Sequence, residues 1–208
     1  MSAFDTLQNA YREMLASVQI SVPKDTVLGT VASEALEMCQ AYAMDSKTFA
    51  GRGDLVNAMA SCAYGGGWLD AGITYGLVET EQSSLWEQPE PHTVARPMEA
   101  IVATYAKETE PFPGHLIPHL MEKTERYERM LSAAILAVSP APDHETTPFV
   151  FAETATAMAK KAFQSGSEGR SRKYPAALAW YSYGYGWLDL AVRAGVLRVT
   201  GDRSLFTI

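Results

Sequence analysis

Residues 55–78 read LVNAMASCAYGGGWLDAGITYGLV, and residues 174–197 read YPAALAWYSYGYGWLDLAVRAGVL. Aligned without a gap, at an offset of 119 residues, the two stretches agree at nine of 24 positions. Composition alone would give roughly one or two agreements over such a length. The shared residues are Ala58/Ala177, Ala60/Ala179, Tyr64/Tyr183, Gly65/Gly184, Gly67/Gly186, Trp68/Trp187, Leu69/Leu188, Asp70/Asp189 and Gly76/Gly195. The chain therefore contains an internal duplication.

The duplication extends upstream of these stretches. YREMLASVQISV (11–22) resembles YERMLSAAILAV (127–138), and EALEMCQAYAMDS (34–46) resembles ETATAMAKKAFQS (153–165). The offset changes by three residues in loops around Pro23 and Pro140–Pro142, where insertions are tolerated. We therefore divide the chain into a first repeat (1–86), a Pro-rich linker (87–115) and a second repeat (116–208).

Each repeat has the apolar periodicity of three helices, with apolar residues three and four positions apart. The predicted helices span about 4–20, 26–46 and 54–76, and again about 117–138, 147–164 and 175–195. Short connections between them favour antiparallel packing. The ends of the repeats, GLVETEQSSLW and GVLRVTGDRSLFTI, predict short extended hairpins, and MEAIVATYAKE in the linker predicts one extra helix. The predicted fold is all-α, with two tandem antiparallel three-helix bundles and short β-hairpin-like tails.

Composition and charge exclude several classes of protein. The 208-residue chain is 47% hydrophobic and carries a net charge of −7, which does not suit a general nucleic-acid binder. No apolar run approaches the roughly 20 residues of a membrane span, and MSAFDTLQNAYREM lacks a signal-peptide pattern, so we expect a cytoplasmic protein. No motif for a nucleotide or another cofactor is present. The first repeat is acidic and the second mildly basic, which indicates either attraction between them or between copies, or only solvated helix faces that differ in charge.

The third helix of each repeat has a face of aromatic and very small residues. At 100° per residue, Tyr64, Gly65 and Gly72 lie near Trp68, and Tyr183 and Gly184 lie near Trp187. Glycine inside a helix costs up to about 1 kcal/mol against alanine, so Gly65–Gly67 suggests close approach of another helix backbone. We favour a tight helix–helix seam. The alternative is a slot in which the glycines admit a flat ligand.

Asp70 and Asp189 lie at the same position of mostly apolar helices, and a buried carboxylate needs a partner. Arg193 can pair with Asp189 four residues earlier, whereas Thr74 cannot do so for Asp70. One interpretation is structural, with each aspartate capping a neighbouring helix or accepting from a group of the second helix, such as a tyrosine hydroxyl or a backbone amide. The other is a carboxylate that faces a groove between the repeats.

A metal site is a further candidate. Glu34 and Glu37 form an ExxE pattern on the second helix, and Asp70 lies on the third. Carboxylates from two helices hold magnesium in some all-α nucleotide pyrophosphohydrolases, because hard cations need several oxygen ligands. Against this site, Glu37 is replaced by Thr156 in the second repeat.

The Gly-Trp-Leu-Asp-Ala core at 67–71, followed by Gly76, and its second copy at 186–190, followed by Gly195, carry a family resemblance. With the terminal SLFTI, they resemble an archaeal family of helical domains, domain of unknown function 357. Leu190 departs from its alanine, and Gly66 and Tyr185 stand where a histidine is more usual. The resemblance implies a three-helix bundle, here doubled, and implies no activity and no catalytic residues.

The function predicted from the sequence is a non-enzymatic scaffold that binds a protein partner or a small molecule between the repeats. The candidate binding residues are Tyr64, Trp68, Asp70, Tyr183, Trp187 and Asp189. A homo-oligomer is compatible with this reading, and no nucleic acid, membrane or cofactor is expected. The alternative is a magnesium-dependent nucleotide hydrolase with Glu34, Glu37 and Asp70 as ligands. The sequence predicts that Asp70→Ala and Asp189→Ala both fold but bind differently.

Overall fold

A computed structural model describes residues 2–81, 96–107, 112–170 and 174–207. It confirms the all-α fold with two helical repeats. The first repeat contains α1 (Ala3–Ser17), α2 (Val27–Gly51) and α3 (Leu55–Thr74), and the second contains α5 (Ile117–Leu136), α6 (Thr147–Arg170) and α7 (Tyr174–Arg193). Between the repeats lies α4 (Pro97–Lys107). Within the described ranges, no helix is both long and apolar enough to cross a membrane.

The two third helices, α3 and α7, form the centre of the molecule and pack against each other. Both are buried along most of their length and around most of their circumference, which is why their sequences are apolar on every side. The outer helices are amphipathic instead: α1 buries mainly Leu7, Tyr11 and Met14. The hydrophobic core is therefore continuous through both repeats rather than divided between two separate bundles.

Both central helices end in the same way. Gly76 and Gly195 have φ of +70° and +72°, and each follows the last residues of its helix. The amides of Gly76 and Leu77 donate to the carbonyls of Ile73 and Gly72, which is the paired bonding of a Schellman motif. The amides of Gly195 and Val196 repeat it with Val192 and Ala191. This conformation is open to glycine at little cost, and it explains the glycine at this position of both repeats.

The short strands exist, but they do not form the hairpins predicted within the tails. β1 (Gln19–Ile20), which follows α1, pairs antiparallel with β2 (Val78–Glu79), which follows α3. β3 (Val138–Pro140) and β4 (Leu197–Val199) repeat this arrangement in the second copy. Each tail therefore pairs with the segment after the first helix of its own repeat. The end of the first predicted tail, from residue 82 on, lies outside the described residues.

The second helices are longer than predicted. The polar, Gly-containing segments that suggested loops continue the helices, to Gly51 in α2 and to Arg170 in α6. Tertiary contacts outweigh the weak local propensity here. Ser46 is fully buried and accepts a hydrogen bond from the Gln8 amide of α1 at 2.9 Å.

Two ion pairs join the second repeat to the first repeat and to the linker helix. Arg193 of α7 binds both carboxylate oxygens of Glu34 in α2, at 2.7 and 2.8 Å. Lys161 of α6 binds Glu99 of α4. Arg193 therefore pairs across the repeats and not with Asp189 as the sequence suggested. Exposed pairs of this kind contribute up to about 1 kcal/mol and mainly select the relative orientation of the repeats.

Candidate functional site

The helices α3 and α7 cross at a pair of glycines. A Cβ atom added to Gly67 would clash with the carbonyl oxygen of Tyr183 and lie 3.1 Å from the Cα of Gly186. A Cβ added to Gly186 would clash with the carbonyl of Tyr64 and lie 3.0 Å from the Cα of Gly67. The tight seam predicted from the sequence is confirmed, and the two backbones touch where the glycines remove the side chains. The contact is reciprocal, as expected of a two-fold relation between the repeats.

On either side of the crossing, each repeat supplies a hydroxyl to the other repeat's aspartate. Tyr183 donates to Asp70 at 2.8 Å, and Tyr64 donates to Asp189. Tyr64 and Tyr183 are equivalent by sequence, and so are Asp70 and Asp189. The predicted tyrosine hydroxyl and backbone-amide partners are both present, but each tyrosine comes from the third helix of the other repeat. These two bonds connect the repeats through the core.

The remaining partners of the two aspartates differ. Asp70 accepts from the backbone amides of Met98 and Glu99 at 3.1 and 2.8 Å, and so caps the N-terminus of α4, where a carboxylate is favoured. Asp189 accepts instead from the amide and the hydroxyl of Thr207 in the C-terminal segment, at 3.3 and 3.1 Å. One carboxylate therefore holds the linker helix and the other holds the tail.

In the second repeat, the place that corresponds to α4 is occupied by a cavity. Helix α4 packs against α1, α3 and α7. The helices that correspond to α1, α3 and α7 after exchange of the two repeats are α5, α7 and α3. Beside these three helices the structure has a cavity of about 220 Å³. The lining includes Tyr42 of α2, Ser61 and Tyr64 of α3, Lys123 and Tyr127 of α5, Tyr185 and Asp189 of α7, and Ser204–Thr207 of the tail.

The cavity has polar and charged groups at its wall. Burial raises the pKa of Asp189 to about 6, although the hydrogen bonds from Tyr64 and Thr207 oppose this. Burial lowers the pKa of Lys123, whose Nζ donates to the side-chain oxygen of Asn57 and lies 5.1 Å from the centre of the Tyr127 ring. Tyr185 donates its hydroxyl to the carbonyl of Leu205 and so holds the tail at the mouth of the cavity.

Comparison with known proteins identifies the repeat. The family described as a protein of unknown function, DUF357, matches residues 8–78 and again residues 126–197. The chain belongs to the DUF357 family. No curated protein and no solved structure matches it. The two matched regions contain the central helix of each DUF357 unit and end at the first residue of β2 and of β4, and they leave out α4, which lies between them.

The structure divides the six candidate binding residues into three groups. Tyr64 and Asp189 line the cavity between the DUF357 units. Asp70 and Tyr183 are fully buried and bound to each other under α4. Trp68 and Trp187 are buried in the core, and their indole N–H groups have no hydrogen-bond partner among the described residues. The tryptophans therefore fill space beside the helix crossing.

The predicted magnesium ligands are not brought together. Glu34 is bound by Arg193, and both oxygens of Asp70 accept from Met98, Glu99 and Tyr183. Across the described ranges, no three histidine, cysteine, aspartate or glutamate side chains are placed to hold a metal ion. Glu34 and Asp70 are thus bound to different partners, and the described residues do not bring Glu34, Glu37 and Asp70 together around one ion.

Of the cavity lining, the sequence singled out only Tyr64 and Asp189; the residues it missed include Tyr42, Lys123, Tyr127 and Tyr185. A signal for most of them is present in the differences between the DUF357 units rather than in their similarities. Lys123, Tyr185 and Tyr42 stand opposite Leu7, Gly66 and Lys161 in the two alignments. Gly66 makes room for Met98 of α4, whose Cε would lie 2.8 Å from a Cβ at that position. The unit without the linker helix carries Tyr185 instead.

The buried aspartates predict that the protein loses stability as the pH rises. Burial raises the pKa of Asp70 from 3.8 to about 7, so between these values the folded state holds a proton that the unfolded state releases. The free energy of unfolding should therefore fall with rising pH, by up to about 1.4 kcal/mol per pH unit for each such group. Urea unfolding measured at half-unit steps from pH 4.5 to 8 tests this.

The control for this pH series is Asp70→Asn, which cannot titrate. It should be less stable than the wild type at pH 5 and should show a flatter pH dependence. A slope equal to that of the wild type would show that Asp70 keeps an ordinary pKa in the folded protein.

Proposed function

We propose that this protein binds a small molecule in the cavity between its two DUF357 units and acts as a binding protein. The observation that carries the proposal is that the two repeats, although related by a two-fold exchange, have different neighbours at the same place. The space that α4 fills on one side is an open cavity on the other, lined by Tyr64, Asp189 and Lys123. Concave spaces between structural units, with a few polar groups among aromatic side chains, are typical ligand sites.

The composition of the cavity favours binding over catalysis. Its acidic group, Asp189, is engaged by Tyr64 and Thr207. The thiols of Cys39 and Cys62 are not part of the lining, and burial raises the pKa of each to about 12, so neither is an activated nucleophile. The cytoplasmic location remains a prediction from the sequence.

The proposal predicts that Ser61→Trp abolishes binding without unfolding the protein. Ser61 is partly buried and lines the cavity, and its equivalent in the second unit is Trp180, so this helix position accepts an indole in one unit already. The added side chain would occupy much of the 220 Å³. Saturation-transfer NMR with a set of one-ring fragments, containing neutral, anionic and cationic members, measures the loss.

Val27→Trp is the matched control, because Val27 is 82% exposed and is not part of the cavity lining. At least one fragment should bind the wild type and Val27→Trp and fail to bind Ser61→Trp. The proposal fails if no fragment binds the wild type, or if every fragment that does also binds Ser61→Trp.

A further inference from the structure

We propose that the ligand of this cavity is a small aromatic carboxylate whose anionic group binds Lys123. This inference rests on the proposed function and adds the chemical class of the ligand. It is drawn from the charge of the cavity wall, the size of the cavity and the rings that surround it.

Lys123 supplies the positive charge. Lys123 is 8% exposed and lines the cavity. Among the described residues, no carboxylate oxygen lies within 4.0 Å of its Nζ, and its hydrogen-bond partner is the neutral oxygen of Asn57. An ammonium group has three donors, and burying one without a counter-ion is costly. An anionic ligand would supply the missing charge.

The other charged groups near Lys123 do not replace such a ligand. Asp54 and Glu122 raise its pKa and Arg126 lowers it, but burial has the largest effect. Asp54 accepts from the backbone amide and the side chain of Asn57 and so caps α3. Its carboxylate therefore fixes Asn57, which in turn orients Lys123.

The negative charge of Asp189 determines which end of the ligand faces α5. Asp189 lies on α7 and Lys123 on α5, and both line the same cavity. Where Asp189 is ionised, its charge repels an anion, so the anionic group of a ligand is expected at the α5 side. Groups close to Asp189 are expected to be uncharged or hydrogen-bond donors.

Size and shape point to a single ring. A dry cavity of about 150 Å³ is known to hold benzene, so 220 Å³ is enough for one ring with a small substituent. At the cavity wall, the ring centres of Tyr42 and Tyr64 are 4.4 Å apart, and those of Tyr185 and Tyr64 are 6.5 Å apart. Aromatic side chains favour stacked or edge-on contacts with another ring.

The test compares benzoate, benzyl alcohol and benzylamine, which share one ring and seven carbons and differ in charge. Binding to the full-length protein is measured by NMR titration at pH 7.5. Benzoate should bind about tenfold or more tightly than either of the others, as expected for a charge-assisted hydrogen bond. Lys123→Met should remove this preference and leave the affinity for benzyl alcohol unchanged.

Two control variants accompany the titration. Arg126→Met removes a positive charge from the same helix outside the cavity lining and should keep the preference for benzoate. Lys123→Arg keeps the charge and should keep the preference in part. Tighter binding of benzylamine to the wild type, or equal binding of benzoate to the wild type and Lys123→Met, would overturn the ligand class. Fragment binding that remains sensitive to Ser61→Trp would in that case still support the proposed function.

Discussion

Gly186→Ala is expected to lower the free energy of unfolding by about 3 kcal/mol or more, the upper end of the cost of overpacking a core. The added methyl would meet the carbonyl oxygen of Tyr64, the amide nitrogen of Trp68 at 2.9 Å and the Cα of Gly67 at 3.0 Å. These are backbone atoms of a central helix, so no side-chain rotation relieves the contact. The two helices would have to separate, and both Tyr–Asp bonds would lengthen. Urea unfolding at fixed pH measures the loss.

Gly51→Ala is the matched control for this variant. Gly51 ends α2 with ordinary φ, and a Cβ there would meet nothing within 4 Å. Alanine should leave the stability unchanged or raise it by up to about 1 kcal/mol, because it restricts the unfolded chain. Gly67→Ala should behave like Gly186→Ala, since the contact is reciprocal. A loss below about 1 kcal/mol for Gly186→Ala would mean that the helices do not touch at these glycines.

The helix crossing could be predicted because glycine is a costly choice there. Gly67 and Gly186 lie inside helices, where alanine is better by up to about 1 kcal/mol, so their presence indicated close backbone approach. The sequence did not show which helix approaches. The structure shows that the partner of α3 is its own equivalent, α7, so the duplicated motif forms both halves of one contact.

The partners of the short strands and of Arg193 could not be predicted, because they depend on how the helices are arranged in space. Val78 and Leu197 were expected to pair within their tails, but β1 and β3 lie closer once α1 and α5 are packed. Arg193 has Asp189 four residues away along α7, yet Asp189 is buried beside Tyr64 and Arg193 reaches Glu34 at the surface. Local spacing gives the possible partners, and packing chooses between them.

The cavity was missed for a related reason. Comparison of the repeats directs attention to shared residues, and the shared residues form the seam and the buried Tyr–Asp bonds. The open site arises where the repeats differ: Tyr185 replaces Gly66, and the C-terminal tail replaces the linker helix as the partner of the aspartate. The linker and the tail follow no common pattern, so their equivalent positions were visible only in the structure.

Asp70→Ala is expected to cost much more stability than Asp189→Ala, about 4 kcal/mol against about 1–2 kcal/mol, although the two residues are equivalent by sequence. Removing Asp70 leaves the amides of Met98 and Glu99 and the hydroxyl of Tyr183 without their acceptor, and Met98 is fully buried. The N-terminus of α4 would lose its cap. We therefore expect the two variants to differ in stability, whereas the sequence predicted only that both fold and bind differently.

Asp189→Ala leaves fewer buried groups without a hydrogen-bond partner. Thr207 is exposed, so water can replace the carboxylate as the partner of its amide and hydroxyl, and the cavity gives Tyr64 space for a water molecule. Tyr183→Phe and Tyr64→Phe serve as controls that remove one hydroxyl each and should cost about 1 kcal/mol. Urea unfolding of the four variants at pH 7 measures the difference. Equal losses for Asp70→Ala and Asp189→Ala would mean that α4 does not depend on the cap that Asp70 provides.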